Sequence, residues 1–202
     1  MELHNWLLYL AASIGLSLSP GPNGLLALTH GVLHGRRKAL FTISGGVLGF
    51  VILIALSMFG IGALLKASIV WLTVLKWIGG AYLVWLGIQV WRSPPMELTV
   101  DDRGAGRRGW SLFKDGLLSA LSNPKALLFF AAFLPQFIDP RRNLVVQFAV
   151  MAATFGTTEF FYELAVANAA HRISALLRRI GRKFNRVCGG IFIGIGVAMP
   201  LR

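Results

Sequence analysis

The chain has 202 residues, 55% of them apolar and only 14% charged, which excludes an ordinary soluble domain. Its formal net charge of +12 invites a nucleic-acid partner, but the Lys and Arg residues sit in short segments between apolar stretches. No separate basic domain exists, so nucleic-acid binding is set aside. The sole cysteine, Cys188, excludes an intramolecular disulfide and a CxxC redox pair.

Charge-poor stretches approach or exceed the ~20 residues needed to cross a bilayer. Residues 3–35 and 39–65 contain no Lys, Arg, Asp or Glu. Residues 67–91 hold only Lys76, 116–138 only Lys125, and 143–171 only Glu159 and Glu163. A final uncharged stretch, 187–201, reaches about 22 Å as a helix, and it gains length if it starts near Phe184 with Arg186 snorkelling. The expectation is an all-α polytopic membrane protein with six transmembrane helices in a single membrane domain, 1–202. The N-terminus lacks a basic n-region, and its apolar stretch is too long for a cleavable signal peptide.

The loops set the orientation. Fourteen of the twenty Lys and Arg lie between spans one and two, three and four, or five and six. Four, Lys66, Arg141, Arg142 and Arg202, lie on the other side. The positive-inside rule then puts the odd-numbered loops in the cytoplasm and both termini outside. Basic residues beside the spans also face anionic lipid of the bilayer. The one sizeable loop, Arg92 to Lys114, carries Pro94-Pro95, Asp101-Asp102 and Gly104 and reads as a flexible connection. It separates a first repeat of about 1–91 from a second of about 115–202.

Span one contains Ser19-Pro20-Gly21-Pro22-Asn23 at membrane depth. Each proline lacks an N–H, and its ring clashes with the carbonyl four residues back. Broken backbone in hydrocarbon is tolerated only where protein buries it or where it lines a wet cavity. Transporters place substrate at such breaks. Freed N–H groups of a half-helix attract carboxylates and freed carbonyls attract ammonium groups, so a zwitterion can use both. A kink filled by neighbouring helices is the bland alternative.

The two halves of the chain match. Ser19-Pro20 corresponds to Asn123-Pro124 at an offset of 104. Gly45-Gly46-x-x-Gly49 corresponds to Ala152-Ala153-x-x-Gly156 at 107, and Gly79-Gly80-x-Tyr82 to Gly189-Gly190-x-Phe192 at 110. An odd number of spans per repeat inserts the second copy upside down. Two inverted three-helix repeats then bring broken helices one and four together near the midplane. Gly45-x-x-x-Gly49 and Gly190-x-x-x-Gly194 permit close helix packing, within the chain or in a homo-oligomer.

Four charged residues fall inside spans: Lys76, Lys125, Glu159 and Glu163. Lys125, directly after Pro124, costs about 2.5–3.5 kcal/mol at the bilayer centre and needs a partner. It either binds a substrate carboxylate, caps freed carbonyls, or pairs with Glu159. Glu159, near the midplane of span five, is the candidate proton carrier: burial favours its protonated form and a nearby ammonium its charged form. A static ion pair is the alternative. Tyr162 and Glu163 are its neighbours, and Glu163 is expected to reach toward cytoplasmic water. His30 and His34 at i, i+4 lack ligands to complete a metal site and read as interfacial. Gln136, after Pro135, either lines an exit or sits at the interface. No Ser-His-Asp order, HExxH, P-loop or nucleotide fingerprint occurs, so neither an enzyme nor a cofactor is expected.

These motifs, in this order, resemble the LysE/RhtB family of amino-acid exporters over nearly the whole chain. The resemblance is carried by Ser19-Pro20-Gly21-Pro22-Asn23, Gly35-Arg36-Arg37, Gly79-Gly80-Ala81-Tyr82-Leu83 with Leu86-Gly87, Phe113-x-x-Gly116, Asn123-Pro124-Lys125-Ala126, and Phe133-Leu134-Pro135-Gln136-Phe137. It implies secondary export of amino acids or small derivatives across the bacterial inner membrane, coupled to protons. Substrate contacts are expected at Ser19, Pro20, Gly21, Pro22, Asn23, Asn123, Pro124 and Lys125. Glu159 and Glu163 stand outside the resemblance and rest on the residues alone. An exporter of another small solute or metal cation, and a membrane scaffold, are the competing readings.

Overall fold

Proline and glycine decide where the helices stop. The computed structural model of the chain describes residues 1–19, 21–65, 107–139 and 141–168, with isolated helical positions within 77–92 and 183–197. Among these, every regular element is a helix. They are α1 (Leu3–Leu18), α2 (Pro22–His34), α3 (Arg36–Leu65), α4 (Gly109–Leu121), α5 (Pro124–Phe133) with a 3-10 turn at Leu134–Phe137, and α6 (Leu144–Asn168).

Arg36–Gly60 and Leu144–Asn168, 25 residues each, are long and apolar enough to cross a membrane. The pair Gly109–Leu121 and Lys125–Phe137, bent by 52°, makes a third span when counted as one. The chain is an all-helical polytopic membrane protein. Expected span one is two shorter helices, α1 and α2. Most of spans three and six lies outside the described residues, as do Pro20, Gly79, Gly80, Tyr82 and Cys188.

The first break follows from local chemistry. Ser19 is extended (φ −71°, ψ 136°), the conformation that a following proline imposes, and this ends α1. Gly21, also extended, is the N-cap of α2, with Pro22 at its first position, where the missing N–H costs nothing. The second break repeats the device: Asn123 is the extended N-cap of α5 and Pro124 its first residue. Pro22 and Pro124, 102 positions apart, thus hold the same place after an N-cap; Pro20, matched to Pro124 in the sequence, lies outside the described residues.

α2 ends on Gly35, whose φ of +78° an L side chain rarely adopts, and α3 starts at the next residue. α4 begins at Gly109, so the loop expected to run to Lys114 stops short. Lys114 is helical and lies over the Trp110 ring, 5.5 Å from its centroid, a contact that gives its charge a place inside the helix.

α3 forms the centre of the bundle, packing on α2, α4, α5 and α6. Its contact with α4 is backbone to backbone. A Cβ at Gly45 would run into the Phe113 carbonyl, one at Gly116 into the Thr42 carbonyl, and one at Gly49 would come within 2.6 Å of Ala120 Cβ. The glycine pattern of span two is thus used within the chain.

Side chains report the helix directions. At one end, Trp6 Nε1 donates to Thr154 Oγ1 (3.0 Å), and the Tyr9 hydroxyl donates to the Met151 carbonyl (3.1 Å). The Tyr9 ring lies 5.5 Å from that of Phe137. At the other end, Gly31 abuts the Ala167 backbone and Gly109 abuts Phe41. So α1 starts where α5 stops, α4 starts where α2 stops, and the two broken helices run in opposite directions. Between them, Tyr9, Phe50, Phe129, Phe130, Phe133, Phe137 and Phe155 belong to one buried core.

Candidate functional site

The two breaks meet, and each reaches into the other. Lys125, the residue after Pro124, sends its ammonium across to the end of α1. Nζ donates to the Ser19 hydroxyl (2.7 Å), the Ser19 carbonyl (2.9 Å) and the Leu16 carbonyl (3.2 Å). Asn23, the residue after Pro22, makes the reverse crossing to the end of α4. Its Oδ1 accepts from the Ser119 hydroxyl at 2.9 Å. The same offset of 102 that relates Pro22 to Pro124 relates Asn23 to Lys125 and Ser17 to Ser119. Of the three expectations for Lys125, the geometry displays the capping of freed carbonyls. The Leu16 and Ser19 carbonyls, expected to be open to a ligand ammonium, are taken by Lys125.

The two helix starts differ in one respect. Asn123 Oδ1 accepts from the backbone N–H of Lys125 (3.1 Å) and Ala126 (3.4 Å), capping α5. Gly21 has no side chain, and α2 carries no side-chain cap. A Cβ at Gly21 would sit 2.9 Å from Lys125 Nζ.

A cleft lies between the breaks, lined by Ser17, Ser19, Gly21, Asn23, Gly24, Asn123, Lys125 and Glu159, with Leu16, Phe50, Ala126 and Phe155 supplying apolar wall. Its volume of about 10 Å³ gives room for roughly one water. The site is closed around its polar ends. Phe50 and Phe155, with ring centroids 5.3 Å apart, form an edge-to-face pair at its apolar side, and Phe130 lies 4.9 Å from Phe155.

Glu159 is brought into this cleft although α6 is far from both breaks in sequence. It is 5% exposed, and its Oε2 has no hydrogen-bond partner among the described residues. The same holds for Ser17 Oγ, Asn23 Nδ2 and Glu163 Oε1. Buried polar atoms without partners are costly and rare in folded proteins, so three in the lining of one cleft, on Ser17, Asn23 and Glu159, mark it as a place built for something else.

Glu163 is 1% exposed and does not reach water. The reason is Gly46: a side chain there would lie 2.8 Å from Asn23 Nδ2 and 3.5 Å from Glu163 Oε2, and its absence leaves room for both. Tyr162 packs on Leu28 and Val166. His30 is 5% exposed, not interfacial, because its Nδ1 pairs with Thr42 Oγ1 at 2.7 Å; His34 stands beside it, ring centroids 5.3 Å apart. The Gln136 amide folds back onto the Ala132 carbonyl (3.0 Å).

Ser17 and Ser119 were missed because single serines are common in membrane helices. Their signal was the 102-residue offset, visible only with the two Pro-start helices in register.

A family model described as LysE type translocator matches residues 14–201, which contain both breaks, the cleft and α6. The chain is similar to an uncharacterized membrane protein of Vibrio cholerae, 35% identical over 98% of each chain. It is similar to a homoserine/homoserine lactone efflux protein of Salmonella typhi, 34% identical over 98% of this chain and 97% of that one. It is similar to a leucine efflux protein of Enterobacter sp. (strain 638), 28% identical over 96% and 94%. No solved structure matches the chain.

Proposed function

The chain belongs to the LysE type translocator family, and from that premise we propose that it is a secondary exporter of amino acids or small amino-acid derivatives, driven by proton antiport across the bacterial inner membrane. Relatives named for homoserine, homoserine lactone and leucine efflux support the substrate class. Membership in a translocator family makes it a transporter rather than an enzyme.

The observation that carries the mechanism is the position of Glu159, a buried carboxylate with an unpartnered oxygen in a cleft between two broken helices. Substrate enters at Ser19–Asn23 and Asn123–Lys125, and Glu159 holds the exchanged proton, with Glu163 one turn further along α6. The opposed directions of α1–α2 and α4–α5 support two inverted three-helix repeats around that cleft. Both termini lie outside, as the basic loops require.

The test is uptake of labelled homoserine and leucine into inverted membrane vesicles. Acidification of the vesicle lumen drives accumulation, and a protonophore abolishes it. If neither amino acid moves under any gradient, the reading is overturned.

A further inference from the structure

The two helix starts at the cleft share one design and differ in one atom group. α5 begins with a cap that fills its own N-terminus, Asn123 Oδ1 on two backbone N–H groups. α2 begins with the same cap-proline pair, but the cap is Gly21, which has nothing to offer. Within α2 the first intrahelical bond recovered is Leu25 N–H to the Gly21 carbonyl, 3.1 Å. The N–H groups of Asn23 and Gly24 precede it and have no partner inside the helix. Both residues line the cleft and both are buried.

We infer that the α2 N-terminus is the carboxylate subsite of this transporter, and that a ligand carboxylate takes the place Asn123 Oδ1 occupies on α5. This rests on the exporter reading above and deepens it: the subsite takes the free α-carboxylate of an amino acid, bound in one fixed polarity, and gives a lactone, which has none, no hold there. The helix dipole and two aligned N–H groups favour an anion there. The Lys125 ammonium lies against the missing Gly21 side chain and adds positive charge without being released from α1.

An independent observation stands on the opposite wall. Glu159 lines the same cleft, 95% buried, with Oε2 unpartnered, and Ser17 Oγ beside it is also unpartnered. These are acceptors, and they suit a ligand ammonium. The Leu16 and Ser19 carbonyls cannot serve, because Lys125 occupies them. Carboxylate on α2 and ammonium on Glu159 is the arrangement these donors and acceptors allow. It also places proton and ammonium in competition for one oxygen, which links their movements. The facing charged groups are Lys125 on α5 and Glu163 on α6.

The test uses the full chain in proteoliposomes. Counterflow of labelled homoserine and leucine is challenged with the free acids, their methyl esters and the matching decarboxylated amines. The free acids are expected to compete at least tenfold better than ester or amine. Equal competition by the esters overturns the carboxylate subsite while leaving export intact. Absence of any amino-acid exchange overturns both.

A second variant separates binding from folding. Gly21→Asn supplies α2 with the cap that α5 already has. In the folded protein it is expected to lose at least tenfold in apparent affinity for homoserine and leucine. Unchanged affinity in a folded Gly21→Asn protein overturns the inference. If that variant fails to fold, the ester comparison on the parent decides alone.

Discussion

Lys125 and Ser19 are 106 positions apart in sequence, yet the Lys125 ammonium touches both oxygens of Ser19, at 2.7 and 2.9 Å. One side chain from the second half of the chain closes the open end of a helix from the first. The cost of a lysine at membrane depth is offset by the Leu16 and Ser19 carbonyls at the end of α1.

Lys125→Met keeps the stem and removes those bonds. Hydrogen bonds to charged groups contribute roughly 1.5–3 kcal/mol each. The expected loss is about 3 kcal/mol or more, seen as a melting temperature lower by on the order of 10 °C in detergent. A protein that melts unchanged contradicts the capping role.

Asn123→Ala strips the cap from α5 and should cost about 1 kcal/mol, while Asn123→Asp keeps an acceptor and should restore most of it. Thermal unfolding of the two purified variants, side by side, measures the difference.

Glu159→Gln keeps the size of the side chain and a carbonyl oxygen but cannot carry a proton. It is expected to reach the membrane at parental abundance and to exchange amino acid across proteoliposomes. Accumulation driven by a pH gradient should vanish. Retained pH-driven accumulation would assign the proton to another group.

Gly45→Val and Gly116→Val should abolish folded protein, since each new side chain meets backbone across the α3–α4 contact. Gly60→Ala, where nothing lies within 4 Å, should leave abundance unchanged. Gly35→Ala should cost roughly 2 kcal/mol, because φ +78° with ψ 162° is a conformation that essentially only glycine adopts. Size-exclusion profiles after expression separate these cases.

Much of this site was legible in the residues. Pro-Gly-Pro in hydrocarbon marks a break whatever surrounds it, and a lone lysine after the second proline marks its partner. The register between the halves was not. Ser19-Pro20 looks like Asn123-Pro124 as a string, but helix starts are defined by the cap and the first residue, and in that respect Gly21-Pro22 is built like Asn123-Pro124. A glycine cap leaves no letter to match against asparagine. Glu163 was read as wetted because hydropathy does not say which way a helix face turns, and only the gap at Gly46 shows that it points inward. The start of α4 was placed too late because the charges up to Lys114 look like loop. In fact Asp115 pairs with Arg107 at 2.6 Å along the first turns of the helix.

The α3–α4 contact joins one helix of each half, and at Gly45 and Gly116 backbone meets backbone. Two rods seated backbone on backbone have little freedom to slide or separate, since any shear drives a carbonyl into a Cα. The seam between the halves therefore behaves as a keel. Opening of the cleft falls to the pieces hung from it, α1, α2 and α5, each of which ends at a joint that already holds a proline.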